Sequence, residues 1–377
     1  MTDSGTTVLT TRNASLEDLA GLLRDQQARK VDVVAAATAI RADSARLVLS
    51  AEPQLTPDGV TLTSGTYTPT EVCDQGIADK LGIPGLYLRR LRAEHPALYD
   101  ANVNGWLARS DKRYLIRGLR GDGGGGVTRA FLSDGYKIID NLDVLLAALE
   151  GIRAAGVPVT ISGCDLTERR MYVRVVSDAV SALAPALLGD YRSPFTGAAG
   201  ADNPVVFGGL VISNSETGCG AFTLTPRLVV QICDNGMTIT KDALRNVHLG
   251  GRMDEGVIRW SQDTRQRNLD LVTGQARDAV TTFLDTSYVQ RKISEITAAA
   301  GVPVSDPENA IKVVAQRLRF SEEQQRDILV HFIRGADLSA GGVMHAVTSV
   351  AQTIEDADTA YEMEGQALTA MQVAAQA

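Results

Sequence analysis

A cysteine and a histidine lie close to the sequence Asp234-Asn235-Gly236, and Cys233 and His248 are the first candidates for chemistry in this chain. A metal site would need further ligands, and a nucleophilic site would need a base oriented by a third group. The sequence offers no such partner at a suitable spacing. Because Asn-Gly between β-branched runs is typical of a tight turn, we predict a β-hairpin with Cys233 buried in it.

Other catalytic patterns do not occur in the sequence. The four histidines are isolated, the acidic residues form no cluster of the two-metal nuclease type, and Ser215 lies outside any Gly-x-Ser-x-Gly motif. The four cysteines are scattered without a Cys-x-x-Cys pair, which is typical of thiols in a reducing compartment. The glycine-rich segment 121–126 lacks Gly-Lys-Ser/Thr, so we expect a flexible hairpin tip there. We expect no metal and no cofactor. The sequence does not decide whether the protein is an enzyme, but the lack of a catalytic pattern favours a protein that is not one.

Charge is distributed unevenly along the chain, although the net charge is −8. Between Lys80 and Arg120 nine basic residues stand against three acidic ones, whereas from Ser321 to the end nine acidic residues stand against two basic ones. A basic middle and an acidic end are expected of a protein that binds a polyanion with one part and a different partner with the other.

Basic side chains with tyrosines between them are predicted on the central strands. In "RYLIRGL", alternation would place Arg113 and Arg117 on one face and Tyr114 and Ile116 on the other. Phosphates attract cations and unpaired bases stack on flat rings, so this pattern favours single-strand binding, with solvated arginines on an ordinary sheet as the alternative. Trp106, in apolar surroundings, is predicted to belong to the core. The candidate nucleic-acid-binding residues are Arg89, Arg92, Arg109, Lys112, Arg113, Arg117, Arg129, Tyr136, Lys137, Arg169, Arg170, Arg174, Arg245 and Trp260.

Helical patterns at both ends enclose a strand-rich middle. Leucines from Leu16 to Leu23 repeat at helical spacing after Ser15, and Ser321 with Gln324 predicts a capping box. We predict an α+β protein in which a mostly antiparallel central sheet is flanked by helices and followed by a helical C-terminal region. The predicted organisation is an N-terminal helical segment (1–50), an α+β core domain (51–250) and a helical C-terminal region with an acidic tail (251–377).

Six short motifs, in order, resemble one known family. They are "LGIPGLYLRRL", "PALYDANVNGWL", "YLIRGL" followed by "RAFLSDGYKIIDN", then "GGLVISNSETG", "RLVVQICDNGM" and "NVHLGG". Together they resemble the phage/plasmid-like protein family known as domain of unknown function 932, over about Thr70 to Gly251. Gly135 departs from the family pattern, which often has a basic residue there. The resemblance implies a phage or plasmid context without implying a reaction.

We predict a phage- or plasmid-type protein that binds and anneals single-stranded nucleic acid, most simply DNA, in recombination or replication. Annealing proteins of phages form rings or filaments, so a homo-oligomer is expected, with a protein partner for the acidic C-terminal helices. The alternatives are a non-enzymatic protein that binds a host protein, as a defence or anti-defence factor, and an undetected nucleic-acid-processing enzyme. No segment has the roughly 18 apolar residues of a membrane span, and the start does not resemble a signal peptide, so we expect no membrane contact and a cytoplasmic location in a bacterial or phage-infected cell.

Overall fold

The computed structural model describes residues 9–50, 54–56, 59–61, 63–121, 125–136, 138–232, 235–246 and 261–377. Within these residues the strands are β1 (Thr11–Ala14), β2 (Lys30–Ala36), β3 (Ile40–Asp43), β4 (Arg46–Leu49), β5 (Gln54–Thr56), β6 (Gly59–Thr61), β7 (Gly65–Pro69), β8 (Arg113–Arg120), β9 (Gly125–Ser133), β10 (Thr160–Leu166), β11 (Met171–Leu183), β12 (Val205–Asn214), β13 (Phe222–Val230), β14 (Asn235–Thr238) and β15 (Leu244–Asn246). The helices are α1 (Leu16–Arg29), α2 (Glu71–Leu81), α3 (Gly85–Glu94), α4 (Pro96–Leu107), α5 (Asn141–Ala155), α6 (Pro185–Leu188), α7 (Gln262–Phe283), α8 (Thr286–Ala300), α9 (Pro307–Leu318), α10 (Glu322–Gly335), α11 (Ala340–Thr353) and α12 (Ala357–Ala374). The predicted α+β class, with mostly antiparallel strands and a helical C-terminal region, is confirmed.

The strands form two main sheets. The large sheet has the strand order β1-β10-β11-β12-β13-β14, with β15 also paired to β13, and all of its pairs are antiparallel. The second sheet, which we call the curled sheet, has the order β2-β8-β9-β7-β4-β3, and its β7–β9 pair is parallel. Strands β5 and β6 form a separate pair.

The curled sheet cannot be flat. Its two edge strands, β2 and β3, are joined by only three residues, 37–39. The four steps from Ala36 to Ile40 span at most about 14 Å, whereas the outer strands of a flat six-stranded sheet are about 24 Å apart. The sheet therefore bends its edges together, and helices α2, α3 and α4 pack against one face through a buried cluster that includes Ile77, Leu88 and Tyr99.

The first fifty residues are helical over a shorter range than predicted. Helix α1 begins after Ser15, whose Oγ accepts a hydrogen bond from Asp18 N at 3.0 Å. The expectation of a helical segment over 1–50 is wrong beyond Arg29, because β2, β3 and β4 follow. In "KVDVVAA" alternate residues are buried, which is the period of a strand, and β2 pairs along its whole length with β8.

The predicted hairpin forms, but its turn lies elsewhere. Asn235 and Gly236 belong to β14 and pair with Val230 and Val229, so the connection is residues 231–234. A side chain at position 236 would collide with Arg227, because a Cβ there would overlap the Arg227 guanidinium, which lies against the backbone of β14. Cys233 lies outside the described residues.

The C-terminal helices share one large core with the large sheet. Helix α11 is its most enclosed element, since Ala340 to Ala351 are all buried. The predicted capping box at the start of α10 is confirmed, with Ser321 Oγ accepting from Gln324 N and Gln324 Oε1 accepting from Ser321 N. Among the described helices, none combines the length and apolarity that crossing a bilayer requires.

Two helical glycines should respond oppositely to alanine. At Gly151 of α5 a Cβ would run into the backbone oxygen of Thr273 and lie 2.7 Å from Ala276 Cβ of α7, whereas at Gly274 of α7 nothing lies within 4 Å. We expect Gly151→Ala to lower the free energy of unfolding by about 1–3 kcal/mol through overpacking, and Gly274→Ala to raise it by about 0.5–1 kcal/mol through helix propensity. Urea denaturation measures both. Equal effects would contradict the tight α5–α7 contact.

Buried His345 should make stability fall in mild acid. Its ring stacks on Tyr191 with centroids 4.3 Å apart, Nε2 donates to Leu187 O at 3.3 Å, and burial lowers its pKa to about 4. Because an unfolded histidine titrates near 6.5, the unfolded state gains the proton first as the pH falls. Between pH 7 and 4.5 we expect the wild type to lose about 2.5 kcal/mol more unfolding free energy than His345→Gln. Parallel pH profiles in denaturant titrations would show that another group is responsible.

Candidate nucleic-acid interface

Arg117 lies at the centre of a buried ion network. Antiparallel pairing of β2 with β8 places it opposite Asp32, and its Nε and Nη2 contact the two carboxylate oxygens of Asp32 at 2.8 and 3.0 Å. Nη2 also reaches Asp140 Oδ1 at 2.6 Å, and Nη1 donates to the backbone oxygen of Glu216 at 2.7 Å. The residue is 3% exposed, so its guanidinium is enclosed by these partners.

Two further cations complete the network. Arg129 Nη1 lies 2.5 Å from Glu216 Oε1, and Lys30 Nζ donates to Asp140 Oδ2 at 2.6 Å. The second oxygen of Glu216 accepts from the backbone N–H of Asn141 at 2.9 Å. Three cations thus meet three carboxylates. Burial by itself would raise the pKa values of Asp140 and Glu216, but the neighbouring cations hold both below their ordinary values, so these two carboxylates are ionised at neutral pH.

The network corrects the prediction that Arg117 and Arg129 contact nucleic acid. The predicted alternation is right, since Tyr114 and Ile116 face the core of the curled sheet. The opposite face is covered by residues 215–219, however, rather than by solvent. This segment turns tightly at Gly218, whose φ is +86° and where a Cβ would lie 2.6 Å from Leu132 Cδ2. Both arginines therefore bind this segment to the curled sheet and are not available to a ligand.

Three other predicted arginines are engaged within the protein. Arg92 donates to Pro69 O at 2.6 Å and contacts buried Asp74, and Arg170 donates through Nε and Nη2 to Cys219 O at 3.1 and 2.7 Å. Arg174 is paired with buried Asp165. Tyr136 is half-buried, and burial raises its pKa to about 12. Arg92 and Arg170 are thereby held by partners within the protein, and Arg174, although paired with Asp165, lines a separate cleft on the large sheet rather than the predicted surface.

The structure brings Arg89 and Arg169 to one cleft, but its charge does not suit a polyanion. The cleft has a volume of about 670 Å³ and also includes Arg12 in its lining. Five carboxylates share that lining with the three arginines: Glu71, Glu168, Glu355, Asp356 and Asp358. Because carboxylates repel phosphate, this cleft is a poor candidate for the nucleic-acid interface.

A different group remains exposed where α4 ends and β8 begins. Arg109, Lys112 and Arg113 are all exposed, and Trp106, one helical turn before Arg109, is 47% exposed. We call Trp106, Arg109, Lys112 and Arg113 the α4–β8 surface. It combines an open indole ring with three cations within eight residues, and exposed Asp111 is the one acidic residue among them.

Trp106 corrects the prediction that it belongs to the core. Tyr99, Val103 and Leu107 are the buried residues of α4, at a spacing of four, and they form the face that packs against the curled sheet. Trp106 lies beside this stripe rather than within it. The helical periodicity of the sequence carried that signal, which the apolar neighbours of Trp106 concealed.

Four residues of the sequence analysis fall elsewhere. Arg245 is exposed on β15, on the other sheet. Lys137 and Trp260, and with them His248, lie outside the described residues.

No catalytic constellation emerges among the described residues. No three His, Cys, Asp or Glu side chains there converge as metal ligands would. The nearest approach to a nucleophile–base pair is His331 Nδ1 to Ser349 Oγ at 2.7 Å. Ser349 has no exposed surface and its hydroxyl donates to Ala346 O, so this pair serves helix packing between α10 and α11.

Comparison with protein-family models, with curated proteins and with solved structures finds no match to this chain. The resemblance to the phage/plasmid-like family accordingly stays a prediction.

Breaking the network should destabilise the fold, whereas removing an exposed cation should not. We expect Arg117→Met to lower the unfolding free energy by about 3–5 kcal/mol, because it removes a partner of buried Asp140 and leaves half-buried Asp32 without its cation. Arg113→Met, four residues earlier on the same strand, should change it by less than about 0.5 kcal/mol. Urea denaturation followed by circular dichroism tests this, and a mild effect of Arg117→Met would contradict the role of the network.

Proposed function

We propose that this chain is a phage- or plasmid-type protein that binds and anneals single-stranded DNA in recombination or replication. The observation that supports the proposal is the α4–β8 surface, where the exposed indole of Trp106 and three exposed cations lie within eight residues of the chain. An indole stacks on an unpaired base, and the cations attract the phosphates on either side of it. In a duplex the bases are already stacked on each other, so the ring favours single strands.

The small size of the surface supports an oligomer as the binding species. Three cations, offset by Asp111, provide only a few phosphate contacts in each subunit. A ring or filament of identical subunits would repeat these contacts along one strand and multiply a weak affinity. Direct base-edge contacts are not needed, so binding would be largely independent of sequence. We place this activity in the cytoplasm of a bacterial or phage-infected cell.

A second candidate function is favoured by α10. Val330 and Ile333 of this helix are 43% and 63% exposed, and exposed charges surround them: the acidic Glu322, Glu323 and Asp327, and the basic Arg326 and Arg334. Such a helix would fit a host protein whose surface has an apolar centre and a charged rim. Salt separates the two functions, because phosphate-driven binding weakens steeply with ionic strength and an apolar interface does not.

Neutralising the α4–β8 surface should weaken single-strand binding and its salt dependence together. We expect the triple variant Arg109→Gln, Lys112→Gln, Arg113→Gln to lower affinity for a labelled strand of about 40 nucleotides at least about tenfold at low salt. The slope of log affinity against log salt should fall by about 2, since each lost phosphate contact contributes about 0.7. Fluorescence anisotropy at several salt concentrations, with the matching duplex alongside, measures both quantities.

The matched control removes three exposed cations elsewhere: Arg24→Gln, Lys312→Gln and Arg326→Gln. It should bind like the wild type. Trp106→Ala should cost about 1–3 kcal/mol of binding free energy, and Trp106→Phe should recover much of it, because phenylalanine still stacks. Equal losses of affinity in both triple variants would mean that net charge, and not the α4–β8 surface, governs binding. If the wild type does not bind the strand even at low salt, the proposal is overturned and a protein partner is favoured instead.

A further inference from the structure

One face of the large sheet carries three arginines around a single cleft. Arg12 of β1, Arg174 of β11 and Arg227 of β13 line a volume of about 310 Å³. Their side chains are 25%, 14% and 6% exposed, so the cations are drawn out of solvent towards a common space.

The carboxylates in contact with these arginines are fewer than the arginines. Asp165, which is fully buried, is shared by Arg12 and Arg174, and it also accepts from Asn13 N at 2.7 Å. Glu364 of α12 accepts from Arg227 Nη2 at 3.0 Å. Asp178 also lines the cleft, but it is exposed and contacts none of the three. The inner part of the cleft thus holds one positive charge more than its carboxylates balance.

Arg227 has unused hydrogen-bonding capacity. Its Nε is buried and has no hydrogen-bond partner among the described residues, although buried donors are nearly always paired. The arginines also repel one another: burial lowers the pKa of Arg174, and Arg227 and Arg12 lower it further, against the attraction of Asp165 and Glu364. An anion in the cleft would relieve this repulsion.

The sheet is shaped to hold the guanidiniums flat. Gly236 leaves the space that the Arg227 guanidinium occupies, and Arg174 Nη1 lies 3.1 Å from where a Cβ of Gly163 would be. Farther along the same face the lining is apolar, formed by Val176, Phe207 and Val229, since Val176 and Val229 follow Arg174 and Arg227 by two residues on their strands. The cleft therefore joins a cationic end to an apolar side with an aromatic ring.

We propose that this cleft binds a phosphomonoester that carries a flat apolar group, such as a nucleoside monophosphate. A phosphate accepts several charge-assisted hydrogen bonds from guanidiniums, and the volume matches the lower range of small-molecule pockets. The same chemistry is found in a free nucleotide and in the phosphorylated end of a strand. None of its residues belongs to the α4–β8 surface, so the site stands independently of the proposed function.

The test is isothermal titration of the full chain with adenosine 5′-monophosphate, inorganic phosphate and adenosine. We expect the nucleotide to bind more tightly than phosphate and adenosine to bind least. Arg12→Gln and Phe207→Ala should each weaken nucleotide binding, Arg12→Gln by about tenfold or more. Arg12 is partly exposed and Asp165 keeps Arg174 and Asn13 N as partners, so this variant should stay folded. Arg245→Gln, an exposed arginine outside the cleft, is the matched control.

A 5′-phosphorylated and a 5′-hydroxyl strand separate the two sources. The site would be assigned to strand ends if the protein prefers the phosphorylated strand, if Arg12→Gln abolishes that preference, and if the free nucleotide binds only weakly. Equal binding of both strands, with the free nucleotide still bound, would assign it to nucleotides. No heat with nucleotide, phosphate or phosphorylated strand at millimolar concentration, or nucleotide binding unchanged in both Arg12→Gln and Phe207→Ala, would overturn the proposal.

Discussion

The buried network around Arg117 is the interaction on which the arrangement of the two sheets depends. It joins β2 and β8 of the curled sheet to the segment after β12 of the large sheet and to the start of α5. A buried charge is tolerated only with close, well-oriented partners, and the loss of one partner leaves the other charges buried without compensation. The two sheets are therefore fixed in one relative position, which apolar contacts alone would specify less sharply.

The same network decides which cations are free to bind a ligand. Arg117 and Arg129 neutralise Asp32, Asp140 and Glu216 together with Lys30, so they add nothing to the surface potential. The excess of basic residues between Lys80 and Arg120 in the sequence is therefore larger than the number of cations that are available to bind a phosphate. What remains exposed near β8 is the compact α4–β8 surface.

Arginines also define the cleft on the large sheet. In the Arg117 network the carboxylates balance the cations, whereas in this cleft they are fewer than the arginines. Arg12 and Arg174 share one partner, and Arg227 is only partly satisfied by Glu364. Two glycines leave room for these side chains: a Cβ at Gly236 would overlap the Arg227 guanidinium, and a Cβ at Gly163 would lie 3.1 Å from Arg174 Nη1. A paired arginine and a ligand-binding arginine look alike in a sequence, and the difference lies in the count of nearby carboxylates.

Periodicity and capping residues by themselves determined the α+β class, the antiparallel strands, the helical C-terminal region and the capping box at Ser321, because these depend on neighbours within a few residues. They also placed Tyr114 and Arg117 on opposite faces of β8. Only the tertiary structure decided that the face of Arg117 is covered, that Trp106 is exposed, and that Gly236 serves Arg227 rather than a turn. The physical reason is that burial and charge pairing are set by segments far apart in the chain, such as Glu216 against Arg117, and alternation within a strand cannot reveal what covers either face.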